Sequence, residues 1–243
     1  MNKLLLTGML IFCSLSSFST CIAIYIASNG HIYVAADSKR SFIFSDAKDS
    51  PKFESVCKIH NVGNNYFAIS GFDDGALLKQ ATQALTETPD VYTAINKFGD
   101  VMTKRYKYLM NQAKTYYPDK LKLFTRNGLG KVSFFGFYDG QPNVVNVSFF
   151  CERDKHGNII VTYKTHQIIA ATVIGISEDI VNASPSELPS EDTKEQNPAL
   201  YVEELVKIEA KNRPDAVGAP IDLLELKPDG AVWIRKNENA VYY

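Results

Sequence analysis

Two β-rich runs, Ile22 to Ala27 and Ile32 to Ala36, flank Asn29-Gly30, the strongest short hairpin signal in the chain. The polar stretch Ser41 to Ser55 reads as a loop, and Val56 to Val62 with Tyr66 to Ser70 form a second hairpin around Gly63-Asn64-Asn65. The period then lengthens. After Asp73-Asp74, residues Leu77, Leu78, Ala81, Ala84 and Leu85 fall on one helical face. Pro89-Asp90 opens a longer helix whose stripe is Val91, Ile95, Phe98, Met102, Tyr106 and Leu109. Stripes of this kind bury against a core. Strand patterns return over Lys131–Tyr138, Asn143–Glu152 and Ile159–Thr165, with turns at Asp139-Gly140 and His156-Gly157-Asn158, and Ile168–Ile174 is a further apolar run. A Ser/Glu/Pro-rich insert, Ser184 to Glu195, is expected to be exposed. Pro198 begins a helix through Tyr201, Val202, Leu205 and Ile208 that ends near Pro214. Ile221–Leu226, a Pro228-Asp229-Gly230 turn and Ala231–Ile234 close the chain. No repeat or linker divides this order, which predicts an α+β fold of two mainly antiparallel sheets sandwiched between helical layers.

Ahead of the first strand the chain has a different character. Lys3, the apolar run Leu4 to Leu15, and the small residues Ser16, Ser17 and Ser19 follow the order of a secretory signal. The run is shorter than the roughly 20 residues a membrane span needs, so no stable membrane insertion is expected; a buried N-terminal helix is the competing interpretation. Residues 1–19 are therefore expected to be removed, leaving a single domain over 20–243 in an exported protein. The net charge of −1 gives no reason to invoke nucleic acid. His31, His60, His156 and His166 are scattered, without zinc-type spacing, so neither a metal nor another cofactor is expected. Loss of the leader leaves Cys21, Cys57 and Cys151, an odd count that requires a free thiol or an intermolecular bridge. A Cys57–Cys151 disulfide with Cys21 free is one pairing it allows.

Four features stand in a telling order: Thr20-Cys21 at the end of the leader, Ala36-Asp37-Ser38 after the first hairpin, Cys57-Lys58-Ile59 before an apolar strand, and Ser70-Gly71 before two helices. In this order the chain resembles the proteasome-like branch of the N-terminal-nucleophile (Ntn) hydrolases, over most of the mature sequence. The resemblance implies a four-layer α/β/β/α sandwich and an amide-bond hydrolase or peptidase whose nucleophile becomes residue one on cleavage. A hydroxyl is a poor nucleophile alone, so it needs a base, here the freed α-amine with a pKa of about 8, and a positive neighbour. By resemblance Lys58 supplies that charge, Asp37 holds and neutralises the lysine, and the Gly71 N–H serves as an oxyanion donor. In the carboxyl half the family's Gly-Ser-Gly turn corresponds to Gly175-Ile176-Ser177, leaving Ser177 as the nearest hydroxyl. The family's Asp-x-x-Ser-Gly-Gly corresponds to Asp215 through Pro220, with Gly218 at the serine position. Those two departures support an alternative, a non-catalytic exported binding module on the same fold. No feature points to ring assembly. The expected partner is a small amide or peptide substrate.

Which residue comes first depends on hairpin register, because side chains alternate faces. A two-residue Asn29-Gly30 loop would pair Ile22 with Asp37 and put Thr20 on the face of Asp37. A loop of Asn29 to His31 would pair Ala23 with Asp37 and put Cys21 there instead. Small residues Ser17 and Ser19 favour release of Thr20. The family's interval from nucleophile to aspartate lands on Cys21, and a low-pKa thiolate beside Lys58 would be the more capable nucleophile. On these grounds Cys21 is the favoured nucleophile and Thr20 the alternative.

Overall fold

The computed structural model describes residues 16–18, 20–42, 53–73, 75–88, 90–116, 118, 121, 124 and 128–238. Residues 1–15, Ser19, residues 43–52, Asp74 and Pro89 lie outside the described residues. Among the described residues thirteen strands form two sheets. In the larger sheet the order is β10 (Ile159–Ile168), β9 (Gln141–Arg153), β8 (Gly130–Tyr138), β7 (Asn65–Asp73), β1 (Ser16–Phe18), β4 (Lys39–Phe42) and β5 (Phe53–Ser55), with β6 (Ile59–Val62) also paired to β7. The smaller sheet runs β11 (Ala171–Gly175), β2 (Cys21–Ile26), β3 (Ile32–Asp37), β12 (Ile221–Lys227) and β13 (Gly230–Arg235). All these pairings are antiparallel.

Three apolar layers hold the elements together. Helices α1 (Ala76–Glu87) and α2 (Val91–Tyr116) bury Leu77, Ala81, Leu85, Ile95, Phe98, Met102 and Leu109 against Phe67, Val132, Phe134 and Phe149 of the larger sheet. The two sheets meet through Ile22, Ile24, Val34 and Ala36 on one side and Ile59, Ala68, Phe135 and Val144 on the other. The opposite face of the smaller sheet, Cys21, Ala23, Tyr25 and Ala35, packs on Val202, Leu205 and Val206 of α5 (Pro198–Asn212). The layers thus run helix, sheet, sheet, helix, and the α+β order expected from periodicity is present. No helix among the described residues is long and apolar enough to cross a membrane.

Several local expectations are corrected. Part of the Ser41–Ser55 loop is strand: Ser41 pairs with Phe53, so β4 and β5 form a hairpin. A short helix, α3 (Glu178–Asn182), precedes the polar insert, and α4 (Glu191–Gln196) forms its end; Ser190 caps α4 by accepting the Thr193 N–H at 3.1 Å. On α5 the inner face carries Val202, Leu205, Val206 and Glu209 rather than Ile208, because a 3.6-residue period from Val202 returns at Glu209. Cys21, Cys57 and Cys151 are all buried free thiols, so Cys57–Cys151 is not a disulfide.

The first hairpin follows neither expected register. Its loop is Ser28-Asn29-Gly30: the Ala27 N–H donates to the His31 carbonyl and the Gly30 N–H to the Ala27 carbonyl, both at 2.9 Å. Gly30 takes the left-handed conformation (φ +79°) that a three-residue loop demands of its last member. The Asn29 side chain accepts the His31 N–H at 2.9 Å and fixes the turn. Ile26 therefore pairs with Ile32 and Ile22 with Ala36, which brings Cys21 opposite Asp37. Directly opposed residues share a face, so this register puts Cys21, with Ala23 and Tyr25, on the face of Ala35 and Asp37 toward α5, as the Cys21 alternative required, and Thr20 does not share that face.

On β6, His60 stacks on Phe67 (centroids 5.3 Å apart), and burial lowers its pKa to about 4. The imidazole titrates near 6.5 in an unfolded chain. Between pH 6.5 and about 4 the unfolded state binds the extra proton, so stability that is complete above 6.5 is lost as pH falls through this window. His60→Phe should remove roughly 3 kcal/mol of that acid sensitivity, read as a flatter pH dependence of the urea midpoint. An unchanged slope would contradict this assignment.

Candidate functional site

Asp37 ends β3 with no solvent exposure and gathers four donors. Its Oδ1 accepts the Cys21 N–H at 2.9 Å and Lys58 Nζ at 2.8 Å. Its Oδ2 accepts the Lys39 N–H at 3.1 Å and the Gly218 N–H at 3.3 Å. Lys58 sits between β5 and β6, equally buried, and also donates to the Lys39 carbonyl at 2.7 Å. Burial pushes the Asp37 carboxyl up and the Lys58 ammonium down, and each partner's charge opposes the other's shift. A buried ion pair contributes little more to stability than well-packed apolar residues of the same volume. Its placement against the Cys21 N–H at the start of β2 is therefore chemically suggestive: a lysine lowered by burial exchanges protons more readily than a surface one.

Thr20 and Cys21 are both fully buried, but their surroundings differ. The Cys21 thiol is pushed well above its ordinary range, first by burial and then by the nearby charges of Asp37 and Glu209; the opposing effect of Lys58 is smaller. This reverses the lowered thiol expected beside Lys58. The Thr20 hydroxyl is buried with no hydrogen-bond partner among the described residues, an arrangement that costs about 1–3 kcal/mol. The main chain of Thr20 is held tightly. Its carbonyl accepts the Ile176 N–H at 2.7 Å. At Gly175 (φ +94°) an added Cβ would lie 1.8 Å from that carbonyl oxygen and 2.7 Å from Ser70 Oγ. Only glycine fits there.

The remaining expected residues divide. Gly71 (φ +105°) pairs with Gly130 of β8 and with Phe18 of β1, and an added Cβ would meet Gly130 Cα at 2.5 Å. It thus lies where β1 ends, just before Thr20. Ser177 precedes α3 but its side chain makes no capping bond. Asp215 is exposed; Gly218, three residues on, reaches the cluster through its N–H to Asp37. Gly175, Gly218 and the Lys39 carbonyl act through backbone, so the glycines were the only legible signal for them. A cavity of about 430 Å³ opens beside the cluster, lined by Ser38, Lys39, Glu54, Ser55, Gly218 and Ala219. Among the described residues no group of His, Cys, Asp and Glu is arranged to hold a metal ion.

No protein-family model matches the chain, and no curated protein matches it significantly. The geometry therefore stands alone.

Asp37→Asn leaves Lys58 buried without a charge partner, and the urea midpoint should report a loss of about 3–5 kcal/mol at an unchanged m-value. Adding Lys58→Met to the same chain should recover part of that loss. An Asp37→Asn protein as stable as the parent would mean that the two side chains are not paired.

Proposed function

We propose that this protein is an exported amide-bond hydrolase of the N-terminal-nucleophile type, with Thr20 as the nucleophile freed by cleavage after Ser19. The observation that carries the proposal is the buried Thr20 hydroxyl, without a hydrogen-bond partner among the described residues and one residue from the N–H that anchors the Asp37–Lys58 pair. The small residues Ser17 and Ser19 suit cleavage before Thr20. The helix–sheet–sheet–helix layering supports the Ntn-hydrolase fold within the observed α+β class.

The leader itself suggests the substrate's shape. Residues 16–18 form the strand between β7 and β4, with Ser17 opposite both Phe72 and Ser41. Once they leave, those edges present unpaired backbone N–H and C=O groups one strand-width apart. An extended peptide entering in the leader's direction would place its carbonyl where the Ser19 carbonyl was joined to Thr20.

In the proposed reaction the Thr20 α-amine takes the proton from Oγ1, which attacks the substrate carbonyl carbon. The tetrahedral oxyanion collapses with breakage of the C–N bond, and the amine leaves with the proton from the α-ammonium. Water then hydrolyses the Thr20 ester. In this scheme Lys58 supplies positive charge to the site, and Asp37 keeps the lysine and the N-terminal strand in register.

The second reading, a non-catalytic binding module of the same fold, draws on Ile176 and Gly218 at positions where serines were expected. A β-lactone distinguishes the two. Processed protein should gain one acyl adduct on Thr20, Thr20→Ala should abolish it, and Cys21→Ala should retain it. A correctly processed chain inert to the lactone would favour the binding module, and an adduct on Cys21 would reverse the assignment of the nucleophile.

A further inference from the structure

Glu209 is a carboxylic acid with no solvent exposure on the inner face of α5, among Val202, Leu205 and Val206. An acid in that stripe has no packing rationale. Its Oε1 accepts the Ile180 N–H at 2.9 Å, so it caps the first turn of α3 in place of Ser177, whose side chain makes no such bond. Asp179 of α3 lies against it through both main chain and side chain. Yet Glu209 Oε2 and Asp179 Oδ2 are each buried with no hydrogen-bond partner among the described residues. Two ionised carboxylates carry only acceptors and would repel at such contact. A single proton shared between the two would supply the missing bond.

The segment just before α3 is the one that seats Thr20. Ile176 donates its N–H to the Thr20 carbonyl, and Gly175 packs against that oxygen with no room for a Cβ. Resting on the Thr20 hydrolase reading, we infer that Glu209 is a positioning residue: with Asp179 it forms a one-proton latch that fixes α3 to α5 and so holds Gly175–Ser177 against the nucleophile.

The surroundings leave the latch to these two acids. From β2 the Cys21 thiol faces Glu209, and burial keeps it protonated. Glu178 on α3 is paired with Arg213 at 3.2 Å. On β3 Asp37 is engaged with Lys58, and Tyr33 donates to Glu225 of β12 at 2.8 Å. Lys194 of α4 pairs with Glu191 and lies over Tyr25. Burial, more than the charge of Asp179, raises the Glu209 carboxyl. A raised folded-state pKa means that the latch is complete at low pH and is lost as pH rises through that value.

Hydrogen exchange of segment 175–182 and the rate of Thr20 acylation by a β-lactone, both followed against pH, test this in the processed protein. Exchange rates are compared after correction for the intrinsic effect of pH. In the parent, protection of 175–182 and the maximal acylation rate should fall together at high pH, while the half-saturating lactone concentration stays constant. Glu209→Ala should raise exchange there at least about tenfold at every pH. Glu209→Gln retains the acceptor for Ile180 and offers an N–H to Asp179, so it should keep the protection and abolish the alkaline decline. Asp179→Asn should do the same and serves if Glu209→Ala does not fold. Parent-like exchange in Glu209→Ala, or Glu209→Gln as loose as Glu209→Ala, would overturn the latch. Loosened exchange with unaltered acylation would overturn its positioning role. If no variant or parent is acylated but exchange responds as stated, the latch stands and the hydrolase reading alone fails.

Discussion

The Asp37 carboxylate is the point on which the two sheets and the loops between them agree. It takes N–H donors from Cys21 at the start of β2, Lys39 at the start of β4 and Gly218 before β12, and a side-chain donor from Lys58 before β6. These segments come from distant parts of the chain, and each would leave a buried polar group unsatisfied if displaced. A fully satisfied buried cluster of this kind fixes geometry more sharply than apolar packing does. One consequence is that residue 20, immediately before the anchored Cys21 N–H, has almost no freedom of position.

Much of the architecture was legible because it depends on periodicity. The α1 and α2 stripes bury as their spacing implied, and strand alternation separates Ile22 and Ile24 from Cys21 and Ala23. Asp37 and Lys58 were legible through their order, and they do meet. The hairpin register was not, because one glycine can serve as the last residue of a two-residue or a three-residue loop. The left-handed Gly30 and the Asn29–His31 contact decide it only in three dimensions. Glu209 was hidden for a related reason: one residue of helical phase separates it from Ile208, and a hydrophobic residue is the natural choice for a core stripe. Asp215 looked chemical in sequence but is exposed, while its neighbour Gly218 contributes only a backbone N–H.

The observed register also separates two residues that sequence could not. Cys21 faces α5, where burial and the charges of Asp37 and Glu209 push its thiol up against the smaller effect of Lys58, whereas the buried Thr20 hydroxyl has no hydrogen-bond partner among the described residues. The tight turn at Gly175 and the carbonyl bond to Ile176 restrain Thr20 from the other side. In the proposed function the leader would play two parts, as a cap on the α-amine of Thr20 and as the strand that fills the space between β7 and β4. Removing it would then expose both the base and the substrate edge in a single step.

The central claim is that folding places Thr20, and not Cys21, as the residue that must become the first. Intact-mass measurement and N-terminal sequencing of the protein recovered after export test this most directly. The account predicts a chain beginning at Thr20. A mature chain that begins at Cys21, or that keeps residues before Thr20, would contradict it.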